Sequence, residues 1–453
     1  MLHSNIAIIL AAGMGTRMNS TIPKPLHKIC GKEMLRILID TLDKTKVNEI
    51  YVIIPPNSKE IVNSINNKNI KFIEQNTADG TSGALIKAKS EINNSINTLV
   101  LYADVPLITS ATIDKLFDKH INSKSEISLV TSYKENPKGL GRIIRSSKHH
   151  ITNIVEEKNI NDLILTNIKE INVGVYFFNS KWLYNNISKI KLNNEEYLLT
   201  DIIDIANSQS KSITSIELDN YNEGIGINNM SDLSKANEIV RKNLLENIML
   251  RGTSVIDPNS VYLDLDSVIN INCSILPNTH ILGNSNIGNY SQIGPNTTIL
   301  NSKIGNNSII QNSIINESTI GNKCKIGPFS LVRNNSKIMD NVHIGNNCEI
   351  KNSKIGTGSK SAHFSYIGDA TVGRNVNIGA GTVTCNYDGK NKNNTIIGDK
   401  CFIGSSTMLI APIKIGENSQ TAAGSVITKN VPANHIAIGI PAKIKNLNSD
   451  RKK

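Results

Sequence analysis

The pattern of apolar and polar residues changes near residue 228. Before that point, short runs of β-branched and aliphatic residues alternate with segments of helical spacing. Strands are expected at residues 6–10, 50–54, 98–102, 127–131 and 173–178. Helices are expected near residues 34–44, 82–92 and 110–120. This alternation predicts a mostly parallel sheet that is covered by helices on both faces.

The segment 230–251 has a different pattern. Four apolar residues recur at helical spacing, namely Leu233, Ala236, Val240 and Leu244. Gly252 follows in the position of a helix C-cap, so the segment is predicted to be one helix. The spacing fits a linker between two domains and the last helix of the first domain equally well.

Beyond residue 252 the hydrophobic period becomes six residues. Aliphatic residues and one threonine recur at this interval in three runs: Ile281, Ile287, Ile293 and Ile299; Ile314, Ile320, Ile326, Val332, Ile338, Ile344 and Ile350; and Ile397, Ile403, Leu409, Ile415, Thr421 and Ile427. This period predicts a parallel β-helix in which three short strands form one triangular coil of about 18 residues. The segment is long enough for about ten such coils.

Most of the cysteines fit this register. Each of four cysteines precedes a periodic isoleucine by two residues: Cys273, Cys324, Cys348 and Cys401. This second inward position of a rung accommodates only a small side chain, so these thiols are predicted to fill the core.

The register slips at three places, between residues 350 and 355, between 367 and 372, and within 385–396. Breaks in a solenoid are where loops leave the coil, and loops commonly carry function.

Composition and charge narrow the class of protein. The 453 residues are 39% hydrophobic and only 4% aromatic, and 49 basic against 38 acidic residues give a net charge of +11. The basic residues are scattered and not interleaved with aromatic ones, which argues against nucleic acid as the partner. Anionic small substrates and a plain Lys- and Asn-rich compositional bias both remain as explanations of the charge. No cleavable signal, membrane span or C-x-x-C pair is present, and we expect a reduced cytoplasmic protein with no membrane partner.

The stretch "LAAGMGTRM", residues 10–18, follows the first predicted strand. Met18 breaks the dinucleotide fingerprint, and the stretch also fails the phosphate-loop motif. Nevertheless, Gly13 and Gly15 would let the backbone approach an anion, and Arg17 and the proline-flanked Lys24 could pair with phosphate. A plain strand–helix turn with two surface cations remains the alternative.

Two further side chains favour a phosphate and metal site. Asp104 comes directly after the strand that ends at Tyr102, and in a parallel sheet this edge faces the ligand crevice. Asn228 lies near the end of the first half. A carboxylate and an amide oxygen suit Mg²⁺, which keeps water and substrate phosphate as its other ligands.

In the second half, the register places polar side chains together. Arg333 and Lys351 are 18 residues apart without a slip, so they should stack on neighbouring coils. Adjacent like charges are unfavourable, and an anion bound between them would relieve the repulsion. By the same logic, Glu349 and Tyr366 should be neighbours. Alternatively, the two cations simply extend into solvent.

His363 falls outside the inward positions, just after the first slip. A histidine there does not fill the core, and its near-neutral pKa suits a general base. Most outward histidines are merely solvated, but this one lies near both a cation pair and a loop.

The motifs also carry a family resemblance. Seven segments resemble, in the same order, the motifs of sugar-nucleotide pyrophosphorylases: "LAAGMGTRM", "PKPLH", "YADVP", "GLGRI", "IVEEK", "EINVG" and "GINN". Together with the hexapeptide half, nearly the whole chain resembles the bifunctional N-acetylglucosamine-1-phosphate uridylyltransferase/glucosamine-1-phosphate acetyltransferase family.

The resemblance implies an α/β Rossmann-like nucleotidyltransferase domain, a linker helix and a left-handed parallel β-helix. Their expected bounds are 1–228, 229–251 and 252–453. The implied enzyme acetylates glucosamine 1-phosphate with acetyl-CoA, then transfers a uridylyl group from UTP with Mg²⁺. Its product, UDP-N-acetylglucosamine, feeds peptidoglycan and lipopolysaccharide synthesis. A cytoplasmic homotrimer is implied, with acetyltransferase sites between subunits.

The resemblance also implies roles for individual residues of the first half. Arg17 and Lys24 would be catalytic, and Asp104 and Asn228 would hold the metal. The full uridylyltransferase set is Leu10, Ala11, Ala12, Gly13, Lys24, Gln75, Gly80, Thr81, Tyr102, Ala103, Asp104, Gly141, Glu156, Asn172 and Asn228.

For the second half, the resemblance makes His363 the catalytic base, with Asn386 and Glu349 nearby. Glucosamine 1-phosphate would contact Arg333, Glu349, Lys351, Tyr366, Asn377 and Lys392. Acetyl-CoA would contact Ala380, Asn386, Tyr387, Ser405, Ala423 and Ile440.

The chain departs from the family pattern at three positions. Gly83 stands where the family has histidine, and Ala103 where it has glycine. Ile440 replaces a basic residue that contacts CoA, and Lys443 is a candidate substitute. We expect these changes to alter the affinity for nucleotide and to make the affinity for CoA somewhat weaker. We do not expect them to change the type of reaction.

Three other functions are considered. One is a pyrophosphorylase whose β-helix is purely structural, against which His363, the "CNYDG" loop and the stacked cations argue. Another is a zinc-dependent hexapeptide enzyme, but the histidines that could bind zinc are dispersed: His280, His343, His363 and His435. The third is an assembly scaffold with two inactive sites.

Overall fold

The computed structural model describes residues 4–447, except residues 14, 66, 68, 77–79, 90, 91, 93, 94, 161, 162 and 193–195. The chain divides into two compact units, Met1–Ile239 and Val240–Lys453. This division falls inside a single long helix. The domain bounds at 228/229 and 251/252 remain predictions.

The first unit contains a nine-stranded sheet and a small hairpin among its described residues. In chain order the strands are β1 (Ser4–Leu10), β2 (Lys28–Ile29), β3 (Lys32–Glu33), β4 (Glu49–Ile54), β5 (Ile70–Glu74), β6 (Ser95–Tyr102), β7 (Ile127–Tyr133), β8 (Arg142–Arg145), β9 (Ile151–Val155), β10 (Glu170–Asn179) and β11 (Ile213–Glu217). The main sheet has the order β11-β7-β10-β6-β1-β4-β5; β8 pairs with β10, and β9 pairs with β8.

Helices cover both faces of this sheet, as predicted. In chain order the helices are α1 (Met34–Leu42), α2 (Lys59–Ile65), α3 (Thr81–Ala88), α4 (Ser110–Ser123), α5 (Leu163–Thr166), α6 (Ser180–Asn186) and α7 (Ile202–Ser208), followed by α8 (Met230–Leu250), the helix in which the two units divide. Alternate residues of β1 enter different cores: Ile6 and Ile8 pack on one face, and Ala7 and Ile9 on the other. Residues 90 and 91 of the predicted 82–92 helix lie outside the described residues.

The main sheet is mostly parallel, as predicted, but one of its strands, β10, runs in the opposite direction to the others. β1 is parallel to β4 and β6, but β10 is antiparallel to both of its neighbours, β6 and β7. Between β7 and β10 the chain forms the antiparallel β8–β9 hairpin and the short helix α5. Hydrophobic periodicity identifies a buried strand but carries no information about its direction.

The second unit is built from three sheets of short strands. One contains Ser254–Val255, Ser274–Ile275, Gln292–Ile293, Ile309–Ile310, Lys325–Ile326, His343–Asn346, Lys360–His363, Asn377–Ile378, Phe402–Ile403, Gln420–Thr421, His435–Gly439 and Ala442–Asn446. The second contains Val261–Leu263, Thr279–Leu282, Thr297–Leu300, Ile314–Asn316, Leu331–Arg333, Glu349–Lys351, Tyr366–Gly368, Val383–Cys385, Met408–Ile410 and Val426–Ile427. The third contains Val268–Ile269, Asn286–Ile287, Lys303–Ile304, Thr319–Ile320, Lys337–Ile338, Lys354–Ile355, Ala370–Val372, Thr395–Ile397 and Ile413–Ile415.

Apart from the antiparallel C-terminal hairpin His435–Gly439/Ala442–Asn446, successive strands belong to different sheets, and they pair in parallel with the strand one coil further on. Ile281, for example, pairs with Ile299, and Ile350 pairs with Ile367. The inward aliphatic side chains therefore stack into one continuous core. This is the β-helix that the six-residue period predicts.

One periodic residue does not point inward. Ile314 is 50% exposed, whereas its neighbour Ile315 is fully buried and pairs with Ile299 and Val332. The inward residues here are Ile310, Ile315 and Ile320, which are five residues apart. Ile314 matches the six-residue period because it lies six residues before Ile320, whereas the inward residue Ile315 lies only five residues before Ile320.

The four cysteines in the periodic register are buried, as predicted. Burial raises the pKa of each thiol, to about 11 for Cys324. Because the thiolate is the reactive form, these residues are core filling and not nucleophiles.

The adjacent isoleucines give a direct test of the register. We expect Ile315→Ala to lower the free energy of unfolding of the β-helix by about 2–5 kcal/mol, because it leaves a cavity between coils. Ile314→Ala is the matched control and should change it by no more than about 0.5 kcal/mol. Urea unfolding followed by circular dichroism measures both variants. A larger effect at Ile314 would contradict the register.

Candidate active sites

A cleft of about 310 Å³ lies at the carboxyl edge of the first unit's sheet. β1 ends at Leu10 and β6 ends at Tyr102, and these two residues are register partners in neighbouring parallel strands. The residues that follow them therefore emerge together. The cleft is lined by Leu10, Ala11, Ala12, Gly13, Lys24, Pro25, Gln75, Gly80, Thr81, Ala84, Tyr102, Ala103, Asp104 and Glu196.

Four of the predicted polar side chains meet at one end of this cleft. The Lys24 Nζ atom lies 2.6 Å from Asp104 Oδ2 and donates to Asn228 Oδ1 at 3.2 Å. Arg17 also donates to Asn228 Oδ1, at 3.0 Å. The backbone N–H of Ile227 donates to the Asp104 carbonyl, which holds the end of the first half beside β6. The sequence prediction that these distant residues meet is correct.

Gly15 shapes the loop that carries Arg17. Its φ is +62°, and a Cβ atom added there would lie 2.8 Å from Lys24 Cβ. The glycine thus supplies both a left-handed turn and a close approach of the loop to Lys24. Apart from its chain neighbours, no atom of the described residues lies within 4 Å of a Cβ added at Gly13, so the two glycines have different roles.

The oxygens of Asp104 and Asn228 fit a magnesium ion. Both accept from the Lys24 ammonium, so they already converge on one cation. A carboxylate and an amide are the hard oxygen ligands that Mg²⁺ prefers. No cluster of three His, Cys, Asp or Glu side chains occurs among the described residues. Most ligand positions of such an ion would therefore be left to water and substrate phosphate.

A second group of polar residues forms a separate part of the first unit. The Asn172 N–H donates to the Gly141 carbonyl at 2.9 Å, and the Asn172 side chain donates to the Tyr176 hydroxyl at 2.6 Å. A Cβ atom on Gly141 would lie 3.5 Å from Glu156 Oε2. The predicted trio of Gly141, Glu156 and Asn172 is therefore assembled. Burial raises the pKa of Glu156, although a hydrogen bond from Thr200 opposes this shift.

The remaining predicted residues of this unit line the cleft. Gln75 donates to the Gly80 carbonyl at 3.0 Å, and Thr81 accepts from the Leu199 N–H at 3.0 Å. A Cβ atom on Gly174, whose φ is +84°, would lie 2.3 Å from the Tyr102 ring. The glycine of "EINVG" is thus required for Tyr102 to pack there.

The two departures in this unit are both buried. Gly83 lies within α3, and Ala103 is 5% exposed at the end of β6. Sequence reasoning missed Glu196, which lines the cleft, and Thr200, which contacts Glu156. Neither residue belongs to a recognised motif or a periodic position, so the sequence offered no signal for them.

In the β-helix, the predicted register is observed. Arg333 pairs with Lys351, and Glu349 pairs with Tyr366. However, Arg333 forms an ion pair with Glu349 at 2.7 Å, and Lys351 lies 3.6 Å from Asp369. The repulsion between the two cations is therefore already relieved by carboxylates. The argument that an anion must lie between them is weaker than the sequence suggests.

His363 is exposed at the end of its strand, outside the core as predicted. Its Nδ1 atom lies 3.2 Å from the side-chain oxygen of Asn346, its register partner one coil earlier. The structure gives His363 this amide partner, whereas sequence reasoning placed Glu349 and Asn386 beside it. Asn346 could have been found from the sequence, because it precedes His363 by 17 residues, about one coil.

The long slip at 385–396 is a loop, as predicted. Asn386 is buried and donates to Asp369 Oδ2, while Tyr387 is exposed and bridges to Lys392. Asp388 accepts from the backbone N–H groups of Lys390 and Asn391, which fixes the turn of the loop. The pKa of Lys392 is lowered, mainly by the neighbouring Lys351 ammonium.

Three of the predicted acetyl-CoA residues, Ala380, Ser405 and Ala423, lie at one corner of successive coils, whereas Asn386 and Tyr387 lie in the 386–394 loop. The Ser406 N–H donates to the Ala380 carbonyl, and the Gly424 N–H donates to the Ser405 carbonyl. Ala423 precedes Gly424, and Asn377 lies in the same coil as Ala380. Ile440 is 75% exposed at the turn of the C-terminal hairpin, where Lys443 pairs with Ile438.

Comparison with known proteins covers both units. The Nucleotidyl transferase family matches residues 6–243. The family Bacterial transferase hexapeptide (six repeats) matches residues 317–353 and 394–429. No helix in the described part of the chain is long and apolar enough to cross a membrane.

Curated relatives match the chain along most of its length. The "Bifunctional protein GlmU" of Thermosipho africanus is 43% identical over 95% of this chain and 94% of its own length. The protein of the same name from Streptococcus agalactiae serotype V is 39% identical over 96% of this chain and 95% of its own length. That from Shouchella clausii is 38% identical over 99% of this chain and 98% of its own length.

Gly15 provides a test of how the loop is built. We expect Gly15→Ala to destabilise the first unit by at least about 1–2 kcal/mol, the cost of a left-handed conformation for a residue with a Cβ atom. Gly13→Ala, which meets open space, is the matched control and should leave the midpoint unchanged. Thermal unfolding without ligand measures both variants. Equal midpoints for the two variants would contradict the role assigned to Gly15.

Proposed function

The chain belongs to the family of the bifunctional protein GlmU, and from this premise we propose how its two units work. The enzyme makes UDP-N-acetylglucosamine in two reactions. It transfers an acetyl group from acetyl-CoA to glucosamine 1-phosphate, and a uridylyl group from UTP to N-acetylglucosamine 1-phosphate. The product supplies peptidoglycan and lipopolysaccharide precursor synthesis.

The convergence of Arg17, Lys24, Asp104 and Asn228 in one cleft is the observation that carries the uridylyltransferase assignment. In this reaction an oxygen of the sugar 1-phosphate attacks the α-phosphorus of UTP. The bond from the α-phosphorus to the bridging oxygen breaks, and pyrophosphate leaves. No covalent intermediate with the protein is needed. Catalysis is alignment of the two substrates together with neutralisation of charge.

We assign Arg17 and Lys24 to the triphosphate, because cations there oppose the negative charge that gathers on the leaving pyrophosphate. The rest of the cleft would hold the uridine nucleotide. The assigned residues are Leu10, Ala11, Ala12, Gly13, Gln75, Gly80, Thr81, Tyr102 and Ala103. Gly141, Glu156 and Asn172 would bind the sugar, whose hydroxyl groups match their carbonyl, carboxylate and amide.

Asp104 and Asn228 would hold Mg²⁺. The ion would supply positive charge against the substrate phosphates. For this chain, ion binding requires Lys24 to release the Asp104 carboxylate, because its ammonium now lies 2.6 Å away. The released ammonium would then be available to a substrate phosphate.

In the second unit, we assign His363 as the general base. It would take a proton from the amine of glucosamine 1-phosphate as the nitrogen attacks the thioester carbonyl carbon. The carbon–sulfur bond then breaks, and coenzyme A leaves as the thiol. Asn346 would orient the imidazole through their 3.2 Å contact.

The substrate contacts of this unit follow from the same assignment. The sugar phosphate would lie against Arg333, Glu349, Lys351, Tyr366, Asn377 and Lys392. Acetyl-CoA would contact Ala380, Ser405 and Ala423 at their shared corner, together with Asn386, Tyr387 and Ile440. Backbone N–H groups there would stabilise the oxyanion of the tetrahedral intermediate.

Hexapeptide repeats favour oligomers, and we propose a homotrimer in which neighbouring subunits complete the acetyltransferase sites. We also propose a cytoplasmic location, since UTP and acetyl-CoA are made and kept in that compartment. Each step can be followed with purified protein, glucosamine 1-phosphate, acetyl-CoA, UTP and Mg²⁺, with each component omitted in turn. Absence of UDP-N-acetylglucosamine from the complete mixture would refute the proposed function.

We expect Asp104→Asn to reduce UTP-dependent release of pyrophosphate by at least about 100-fold, because it removes a charged ligand of the metal. Consumption of acetyl-CoA by the same preparation should be unchanged, which serves as an internal control for folding. A coupled pyrophosphate assay and a thiol assay measure the two reactions. Retention of full pyrophosphate release would remove Asp104 from the metal site.

His363→Ala should have the opposite effect. We expect acetyl transfer to fall by about 100-fold or more, the usual contribution of a general base, while uridylyl transfer stays unchanged. His343→Ala is a suitable control. This histidine lies in the same sheet one coil earlier, on the strand His343–Asn346, where it pairs with Lys360 rather than with His363. If His363→Ala left acetyl transfer intact, the base would have to be another group.

A further inference from the structure

Asp369 is a buried acid at the predicted acetyltransferase site, and none of the motifs assigns it a role. It directly follows the strand Tyr366–Gly368 and is 7% exposed. Its backbone N–H donates to the Lys351 carbonyl at 3.0 Å, and its own carbonyl accepts from the Thr395 N–H at 3.2 Å. These bonds fix it between the coil that carries Lys351 and the strand that resumes after the 386–394 loop.

Three side chains converge on its carboxylate. Asn352 donates to Asp369 Oδ1 at 2.5 Å. Asn386 donates to Oδ2, and the Lys351 Nζ atom lies 3.6 Å from the same oxygen. The Asp369 Oδ2 atom therefore contacts side chains from two coils, Lys351 and Asn386, which are 35 residues apart in the sequence. Lys351 is itself only 8% exposed, so its ammonium has little access to water.

The local charges keep Asp369 ionised. Burial raises the pKa of the carboxyl group, but hydrogen bonds from Asn352 and Asn386 and the charges of Lys351 and Lys392 outweigh it. The net effect is a pKa below the ordinary value for aspartate. The carboxylate is thus a permanent negative charge between two lysines and two amides at neutral pH.

We propose that Asp369 is a positioning residue for acetyl transfer, which holds Lys351 for the sugar phosphate and Asn386 for acetyl-CoA. This inference rests on the proposed function of the second unit. Asp369 does not touch the reacting atoms. It links the two substrate sites, because one carboxylate oxygen fixes a side chain of each.

The proposal predicts a specific kinetic pattern. Without the charge, the Lys351 ammonium loses its partner and turns toward other acceptors, and the Asn386 amide loses its acceptor. Both substrates should then bind less well, although neither contacts Asp369. A purely structural role would lower the amount of folded enzyme, and hence kcat, with unchanged KM values.

The test uses the full-length Asp369→Asn enzyme. Asparagine keeps the shape and tolerates the φ of +50° at this position. We expect KM to rise about tenfold for glucosamine 1-phosphate and for acetyl-CoA, as for loss of one charged hydrogen bond. Uridylyl transfer by the same protein should be unchanged. KM values equal to those of the wild type would overturn the proposal, as would a loss confined to kcat.

A matched control is available in the same solenoid. Asp340 also accepts hydrogen bonds from an asparagine of a neighbouring coil, from the N–H and the side chain of Asn322. Asp340→Asn should leave both KM values unchanged. If it raised them as much as Asp369→Asn does, the effect would be general to coil carboxylates and the inference would be wrong.

A double-mutant cycle separates the effect that Asp369 exerts through Lys351 from the effect that it exerts through Asn386. In a Lys351→Ala background, Asp369→Asn should no longer raise KM for glucosamine 1-phosphate, yet it should still raise KM for acetyl-CoA. Additive effects on the sugar-phosphate KM would show that Asp369 does not act through Lys351, which overturns the proposal. Wild-type enzyme that does not acetylate glucosamine 1-phosphate would instead refute the proposed function.

Asn352→Ala keeps the test decisive if Asp369→Asn does not fold. This exposed residue donates to the other carboxylate oxygen, so its removal loosens Asp369 without changing the charge. Both KM values should rise by about two- to fivefold, a smaller effect because a neutral donor contributes less than a charged one. Unchanged KM values in a folded Asn352→Ala enzyme would overturn the proposal.

Discussion

The second half of the molecule depends on one constraint: an inward side chain must pack on the inward side chain one coil away. Ile281, Ile299, Ile315 and Val332 form one such ladder, and every strand between them pairs in parallel with the next. Because the ladder fixes each inward residue, it also fixes the outward residues beside it. The alignments of Arg333 with Lys351 and of Glu349 with Tyr366 follow from the positions of their buried neighbours.

In the first half, a different constraint has the same effect. The parallel neighbours β1 and β6 end at the same edge, so the residues that follow Leu10 and Tyr102 must face the same cleft. Lys24 and Asn228 join them from distant parts of the chain, and their contacts are polar. Hydrophobic packing determines where this edge of the sheet lies. At the edge, the polar contacts of Lys24 can be exchanged for contacts with a substrate phosphate.

The sequence allowed the larger features and the residues with chemical roles to be predicted, but not several of their contacts. Strand positions and the buried cysteines follow from periodicity, whereas no period encodes the antiparallel direction of β10. Ile314 was misassigned because it lies six residues before Ile320, although the inward residue is Ile315, one position later. The pairing of Arg333 with Glu349 also escaped prediction, because register gives backbone neighbours and not the direction in which long side chains turn.

The five-residue rungs have a consequence for how this chain can change during evolution. The corner between Ile310 and Ile315, like that between Ile315 and Ile320, is one residue shorter than its neighbours, yet the ladder continues on both sides. The inserted loop at 386–394 shows the same tolerance in the opposite direction, since strand pairing resumes at Thr395. Insertions and deletions are therefore tolerated at the corners between strands. The strands on the flat faces tolerate substitutions but not a change of length. Alignments of such chains should place their gaps at the corners.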